Sequence, residues 1–353
     1  MPRSSKLPDP AALAQARFPE MLVGDDSSKS GYESFYLKAA SPDLRRAIWI
    51  RYTVHKSAGH APAASLWCTL FDREGGAPFA VKQTFGGEQL TVPDGGQIEI
   101  AGHVFGASLI RGEASGAGRA ARWHMRVSGG GQPLLHLPEK LYGARVPRTK
   151  SLTTMPAITL DGAIEIDGQT LDVDGWRGMA GHNWGTQHAE QWVWLHGSGF
   201  TAAGADGEPT DTGQGTWIDL VIGRIKLGPF TTPWVANGAI SLSGARRQLA
   251  GIGRVRSTQV SARPGHCEVL LPGDGIVVRA TVDAPLEQTV VWPYADPDGS
   301  QHHALNCSVA NMNLEISIAG APPMTISSSG GAVYELGTRD TTHGLPVEPF
   351  TDG

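Results

Sequence analysis

The chain has 353 residues, with 29 lysines and arginines against 34 aspartates and glutamates, which gives a formal net charge of −5. This length exceeds what one hydrophobic core usually serves, so we expect two domains. Charged residues are spread along the chain without the basic stripe that phosphate neutralisation requires, and we therefore expect no nucleic-acid partner. The 46 glycines and 24 prolines form no strict repeat, which indicates many turns rather than collagen or disorder.

The N-terminal residues are polar and include an early proline, so they offer no apolar core for a signal peptide. No run approaches the length of a transmembrane helix. A cytoplasmic location follows as the expectation, with peripheral contact with membrane lipid left open. The cysteines lie in apolar, strand-like sequence without metal-type spacing, and we expect them to be buried and reduced. They are Cys68, Cys267 and Cys307.

In chain order, the first predicted element is a short helix or arm over residues 10–22, where Leu13, Ala16 and Phe18 have loose helical spacing. After it the apolar period changes to two, which is typical of strands. The predicted strands include residues 48–55, 65–71, 97–100, 122–127, 191–196, 216–222, 252–257, 276–282 and 314–318.

Glycine-rich and proline-rich turn clusters separate these runs, for example at residues 72–76 and 128–131. This succession of short strands and turn clusters predicts an all-β fold of antiparallel barrels or sandwiches. A parallel sheet is disfavoured, because its crossover helices have no sequence to occupy.

The domain division is expected in the middle of the chain. Residues 137–156 contain three prolines and several basic residues and are predicted to be a long connection. Residues 158–173 look like further strand sequence that ends the first half. We therefore predict an N-terminal domain of residues 1–178 and a C-terminal domain of residues 179–353.

The densest group of unusual side chains lies in residues 176–196. In an extended segment His182 and Trp184 share one face, while Asn183 lies on the other. A second shared face is formed by Trp192, Trp194 and His196. Such faces can line a cavity, with flanking glycines that let the backbone pass close to a ligand. The alternative is that the tryptophans are core and the histidines are satisfied by hydrogen bonds.

The histidines of this segment are candidate metal ligands. His182, His188 and His196 lie close in sequence, and residues 302–303 supply two more histidines. Their spacing matches no standard zinc pattern, and the nearby carboxylates are not arranged as a ligand set. We expect neither a metal nor another cofactor.

The sequence resembles a lipocalin-like family in the run Gly181-His182-Asn183-Trp184-Gly185, which is followed by Trp192-Val193-Trp194. A weaker similarity lies in Gly31-Tyr32-Glu33-Ser34-Phe35-Tyr36. That family includes carotenoid hydratases (hydroxyneurosporene synthases) and is related in architecture to tocopherol cyclases. The resemblance implies two lipocalin-like antiparallel β-barrels in tandem, with an apolar cavity at or near their contact.

Hydratases of that family are thought to protonate an isolated double bond and deliver water to the resulting carbocation. The resemblance assigns this chemistry to His182 and Trp184, and to a tyrosine and an aspartate two residues apart on a later strand. The best match for the second pair is Trp217 and Asp219, with tryptophan in place of tyrosine.

Asp219 also fits the role of an acid on physical grounds. Apolar residues surround it in sequence, and a carboxyl desolvated among them would have a raised pKa and keep its proton near neutrality. Trp217 on the same face could stabilise developing positive charge. The alternative is an outward-facing carboxylate at a strand edge.

Together these observations predict a cofactor-independent enzyme that acts on an apolar, isoprenoid-like or polyketide-like molecule by acid-triggered hydration, cyclisation or isomerisation. The alternative is a non-catalytic lipocalin-like carrier of a hydrophobic small molecule. The predicted catalytic residues are Asp219, His182 and Trp184. The predicted substrate-binding residues are Trp217, Trp192, Trp194, His196 and Asn183.

Overall fold

The computed structural model describes residues 13–21, 28–92, 96–204 and 208–351. The helix predicted over residues 10–22 is present as one turn, Phe18–Met21 (α1). Residues 10–12 and 22 of the predicted span lie outside the described residues. No helix among the described residues is long and apolar enough to cross a membrane.

Two antiparallel sheets contain nearly all of the strands. The first sheet consists of β1 (Gly31–Ala40), β2 (Arg46–Lys56), β3 (Ala63–Asp72), β4 (Phe79–Gly86), β5 (Leu90–Thr91), β6 (Gly96–Ile100), β7 (His103–Gly106), β8 (Leu109–Gly116), β9 (Arg119–Gly130), β10 (Leu134–Leu135), β11 (Thr149–Ile166), β12 (Gln169–Asp172) and β13 (Trp176–Gly185).

The second sheet consists of β14 (Gln191–Gly197), β15 (Thr201–Ala203), β16 (Pro209–Asp211), β17 (Trp217–Arg224), β20 (Val235–Leu242), β21 (Ala245–Ala250), β22 (Gln259–Arg263), β23 (His266–Gly273), β24 (Ile276–Asp283), β25 (Val290–Ala295), β26 (Gln301–Ile318) and β27 (Met324–Thr338). A separate hairpin is formed by β18 (Lys226–Leu227) and β19 (Phe230–Thr231). Short 3-10 turns lie at Gly87–Gln89, Glu139–Leu141, Ile252–Arg254 and Leu286–Gln288.

Each sheet curls into a barrel. In the second, β14, β17, β20, β21, β23, β24, β26 and β27 form a ring that the β26–β27 pairing closes. The first is nearly closed, because β8 returns to contact β4. There the Ser115 backbone N–H donates to Gln83 Oε1 at 2.8 Å, and Arg119 donates to the Ala80 carbonyl at 3.2 Å. The predicted all-β fold of two tandem lipocalin-like antiparallel barrels is confirmed.

The sheets change between Gly185 and Gln191. The predicted division after residue 178 therefore falls inside β13, whose pairing with β1 and β11 keeps it in the first barrel. Apolar and polar residues alternate in the same way on both sides of this change of sheet, so their alternation alone does not reveal the domain boundary.

Two predicted segments differ from the structure. Residues 149–156 belong to β11 rather than to a connection, since they pair with β13; Pro156 lies at a bulge, where its missing N–H breaks no ladder bond. Residues 252–257 are not a strand but begin with a 3-10 turn, which Gly251 initiates at φ 103°.

Apolar side chains fill the interior of both barrels. The first interior contains Phe35, Tyr52 and Trp123, and the second contains Ile218 and Leu220. Between the barrels, outward-facing aromatic residues pack together, including Tyr36, Trp49, Trp67, Trp194 and Trp292. The three cysteines are buried, as predicted.

Candidate active site

A cavity of about 380 Å³ lies at the junction of the two barrels. Its aromatic lining consists of Tyr36, Trp49, Trp192, Trp194 and Tyr294. Its polar lining includes Arg51, His136, Asn183, Asn237 and Glu335. These residues come from both barrels and from the connection between β10 and β11. The volume lies in the range of small-molecule sites, and the lining combines apolar walls with a few polar groups, as such sites do.

Strand alternation in β13 divides the His-Asn-Trp motif between two faces. Asn183 lines the cavity, whereas His182 and Trp184 face the first barrel. His182 is fully buried; its ring stacks on Phe35 with centroids 4.2 Å apart. His182 and Trp184 therefore lie near the junction as predicted, but on the face of β13 that is turned away from the cavity.

His182 anchors the N-terminal segment. Its Nε2 lies 2.6 Å from Glu33 Oε1, and its Nδ1 lies 3.0 Å from the Leu13 carbonyl. Glu33 also accepts the backbone N–H groups of Arg17, at 2.7 Å, and Phe18, at 2.5 Å. This buried carboxylate thereby satisfies donors of α1 and of the motif histidine at once.

Trp184 supports the wall of the cavity from behind. Its indole packs with Leu13, Tyr142 and Leu152. The Tyr142 hydroxyl accepts the His136 backbone N–H at 3.1 Å and donates to the Ser151 carbonyl at 2.6 Å. Trp184 therefore helps to hold the segment that carries a lining residue, His136.

The motif glycines make room for protein atoms rather than for a ligand. A Cβ at Gly181 would lie 2.4 Å from the Tyr36 ring, and one at Gly185 would lie 2.2 Å from the Arg148 carbonyl oxygen. Only a residue without a side chain permits these approaches, so both glycines serve strand and ring packing.

Asp219 of β17 lies beneath the cavity wall and is fully buried. Its Oδ1 accepts the indole N–H of Trp194 at 3.0 Å. Its Oδ2 accepts the Thr153 hydroxyl and lies 3.6 Å from His136 Nε2. His136 Nε2 in turn lies 3.0 Å from Thr153 Oγ1. Two barrels and the β10–β11 connection thus meet at one carboxylate.

The electrostatics of Asp219 differ from the prediction. Burial raises the pKa of this carboxyl, but the neighbouring imidazoles of His136 and His196 and the hydrogen bond from the Thr153 hydroxyl lower it more. The net pKa of Asp219 is below its usual value, so the expectation of a neutral, protonated Asp219 near neutrality is wrong. Its sequence neighbours Ile218 and Leu220 point into the barrel and leave the carboxyl among donors.

The remaining predicted residues divide into two groups. Trp192 and Trp194 line the cavity, and the Trp192 indole N–H donates to Glu335 Oε1 at 2.9 Å. Trp217 packs instead with Leu134 and Ala239, outside the lining. His196 is buried behind the cavity, and neither ring nitrogen has a hydrogen-bond partner among the described residues; desolvation lowers its pKa to about 4.

The structure also brings together residues that sequence reasoning missed, namely Arg51, His136, Thr153 and Glu335. None lies in a recognisable motif, and His136 and Asp219 are far apart in sequence. Their proximity results from how the β10–β11 connection crosses the junction, a tertiary feature without a local sequence signal.

One histidine and carboxylate cluster has the composition of a metal site. The ligand atoms of His188, Asp296 and His302 lie within 4.8 Å of one another. His188 Nδ1 lies 2.7 Å from Asp296 Oδ1, and Arg339 donates to Asp296 Oδ2 at 3.4 Å. Burial raises the pKa of Asp296, but bonds and charge from His188 lower it more, to about 2. His188 and Arg339 thus hydrogen-bond to the two oxygens of Asp296, and these residues form a hydrogen-bonded cluster.

No protein-family model matches the chain. An uncharacterized protein of Mycobacterium tuberculosis, in strains CDC 1551 / Oshkosh and ATCC 25618 / H37Rv, is 24% identical over an alignment of 323 residues that covers 88% of this chain and 87% of that protein. Among solved structures, CghA has a TM-score of 0.52 at 11% identity, covering 89% of this chain and 90% of its own. Kievitone hydratase from Nectria haematococca has a TM-score of 0.44 at 10% identity, covering 91% and 95%. The likeness to CghA shows a common fold, and the resemblance to carotenoid hydratases stays a prediction.

Proposed function

We propose that the protein is an enzyme that transfers protons to and from carbon in a largely apolar molecule bound between the barrels. The observation that carries this proposal is the His136–Thr153–Asp219 arrangement at the wall of an aromatic cavity. A carrier of apolar molecules gains nothing from a buried carboxylate joined to a lining histidine, because burying these groups costs free energy.

The hydrogen-bond directions identify the ring nitrogen of His136 that has no partner among the described residues. Asp219 as a carboxylate only accepts, so the Thr153 hydroxyl donates the hydrogen bond between them. The Thr153 oxygen then accepts from His136 Nε2–H. His136 Nδ1 has no hydrogen-bond partner among the described residues. Nδ1 is itself buried at the cavity wall, and we propose that it exchanges a proton with a molecule bound against His136.

In the proposed reaction the Nδ1–H of protonated His136 gives its proton to one carbon of a C=C bond. The π electron pair forms the new C–H bond, and the neighbouring carbon becomes cationic. Water then adds to it and the resulting oxonium returns a proton to Nδ1, or a second double bond closes a ring onto it and the resulting cation loses an adjacent proton to Nδ1. In isomerisation an adjacent proton of the first cation returns directly to Nδ1. Asp219 stabilises the imidazolium before transfer, and the faces of Trp49 and Trp192 stabilise the carbocation.

This proposal keeps the predicted chemistry but changes the residue roles. Asp219 becomes the group that orients His136 through Thr153, and His136 becomes the proton donor. Hydration, cyclisation and isomerisation share the first step, and the isoprenoid-like or polyketide-like substrate class belongs to the same proposal.

The test begins with mass spectrometry of small molecules that co-purify with the protein from its own cells. The identified molecule is then incubated in D2O with the wild type and with His136→Gln and Asp219→Asn. We expect carbon-bound deuterium or an added water in the wild-type product, and a rate about 10²-fold lower in either variant.

The matched controls are His266→Gln and Asp283→Asn, which alter an exposed pair at 2.7 Å in the second barrel. These should react at the wild-type rate. A co-purified molecule that the wild type returns unlabelled and unchanged would favour the carrier. Full turnover by His136→Gln would remove His136 from the mechanism.

A further inference from the structure

Arg51 of β2 is a cation with an incomplete set of partners at the cavity. The residue is only 4% exposed and belongs to the lining. Its Nε and one terminal nitrogen donate to Ser34 Oγ at 3.1 and 2.6 Å. The other terminal nitrogen is buried and has no hydrogen-bond partner among the described residues.

No carboxylate of the described chain lies within 4.0 Å of the Arg51 nitrogens. The carboxylates near the cavity are held by other donors: Glu335 accepts from Trp192 and Asn306, and Asp219 accepts from Thr153 and Trp194. The positive charge of Arg51 is therefore not neutralised by an ion pair within the described protein.

Aromatic rings hold the guanidinium in place. Its central carbon lies 4.2 Å from the ring centroid of Tyr294 and 5.3 Å from that of Trp67. These contacts and the Ser34 hydroxyl offset part of the cost of burying the charge, but they leave one N–H pair unused. A fixed guanidinium with free donors matches the planar, two-oxygen geometry of a carboxylate.

We propose that Arg51 binds a carboxylate on the substrate, which would make the substrate an amphipathic carboxylic acid with an apolar body. This inference rests on the proposed function, since it assigns a substrate class to the same cavity. The acid group pairs with Arg51, the carbon skeleton packs on Trp49 and Trp192, and the skeleton is presented to His136, all of which line the cavity. The pairing satisfies the remaining buried donor and neutralises the charge.

The experiment compares ligands that share a skeleton and differ in the head group. The pairs are octanoate with octan-1-ol, and 1-naphthylacetate with 2-(1-naphthyl)ethanol, titrated calorimetrically at pH 7.5. We expect the wild type to bind the acid of each pair at least about tenfold more tightly than the alcohol. Arg51→Met and Arg51→Gln should lose this preference while retaining alcohol binding.

Arg122→Met is the matched control, because it removes one arginine from an exposed pair with Glu113. It should keep the wild-type preference, which excludes an effect of net charge. Equal binding of acid and alcohol by the wild type would overturn the proposal, as would a preference that survives in a folded Arg51 variant. Failure of both acids to bind the wild type at about 1 mM would overturn it as well.

Including His136→Gln separates this inference from the proposed catalysis. We expect this variant still to bind each acid more tightly than its alcohol, since Arg51 is intact, while proton transfer is lost. An intact acid preference with no proton transfer to any co-purified molecule would reject the catalysis alone. Proton transfer without acid preference would reject the role of Arg51 alone.

Discussion

Replacing Glu33 with alanine should loosen the N-terminal segment from the first barrel. The carboxylate accepts from the backbone of Arg17 and Phe18 and lies 2.6 Å from His182 Nε2. Each buried donor left unpaired costs about 1–3 kcal/mol. The two backbone donors can regain partners in water if residues 13–21 leave the barrel, so we expect a total cost of about 3–5 kcal/mol rather than the full sum.

Urea unfolding of Glu33→Ala, His182→Gln and the double variant measures this cost and its origin. Because both residues serve one contact, His182→Gln should cost much less in the Glu33→Ala background than in the wild type. Glu113→Ala, which removes an exposed pair with Arg122, is the control and should change stability by less than about 1 kcal/mol.

The same series separates anchoring from catalysis. Since His182 does not line the cavity, folded His182→Gln should turn over substrate at the wild-type rate. A Glu33→Ala cost below about 1 kcal/mol, or additive costs in the double variant, would refute the anchoring role. A stable but inactive His182→Gln would show that His182 takes part in the reaction.

Three further outcomes are expected. Trp184→Ala should cost about 3–5 kcal/mol in urea unfolding, since the indole is 6% exposed; an unchanged midpoint would contradict its packing role. His196 has its pKa lowered to about 4, so the unfolded chain takes up its proton first and stability falls as pH drops from about 6.5 to 4. In unfolding titrations, His196→Gln should reduce that loss by up to about 3 kcal/mol. Gly337→Ala would place a Cβ 2.0 Å from the Trp192 ring; calorimetry should show weaker ligand binding, and unchanged affinity would mean that the indole moves away freely.

Much of the fold could be predicted from the sequence because strand alternation and turn residues act locally. The alternation in residues 48–55 and 276–282 corresponds to β2 and β24. Pairing partners are not local, which is why the prediction for residues 149–156 is wrong. Their proline content indicates a connection, whereas in the structure they pair with β13.

The site was predictable only in part, for a similar reason. Tryptophan and histidine at alternate positions indicated a cavity near β14, and Trp192 and Trp194 do line one. Sequence neighbours gave a misleading environment for Asp219, because on a strand the adjacent residues point away from it. Its actual neighbours, Thr153 and His136, come from elements whose approach has no sequence signature.

Since the cavity is bounded by the outer faces of two separately packed barrels, its shape depends on their mutual orientation. The contact of Trp67 with Trp292, whose ring centroids are 4.9 Å apart, is one of those that set this orientation. A change of side-chain size there would tilt one barrel on the other and reshape the cavity without altering any residue that touches the ligand. Selectivity for ligand size can therefore diverge between relatives through substitutions remote from the lining, while the interior of each barrel stays the same.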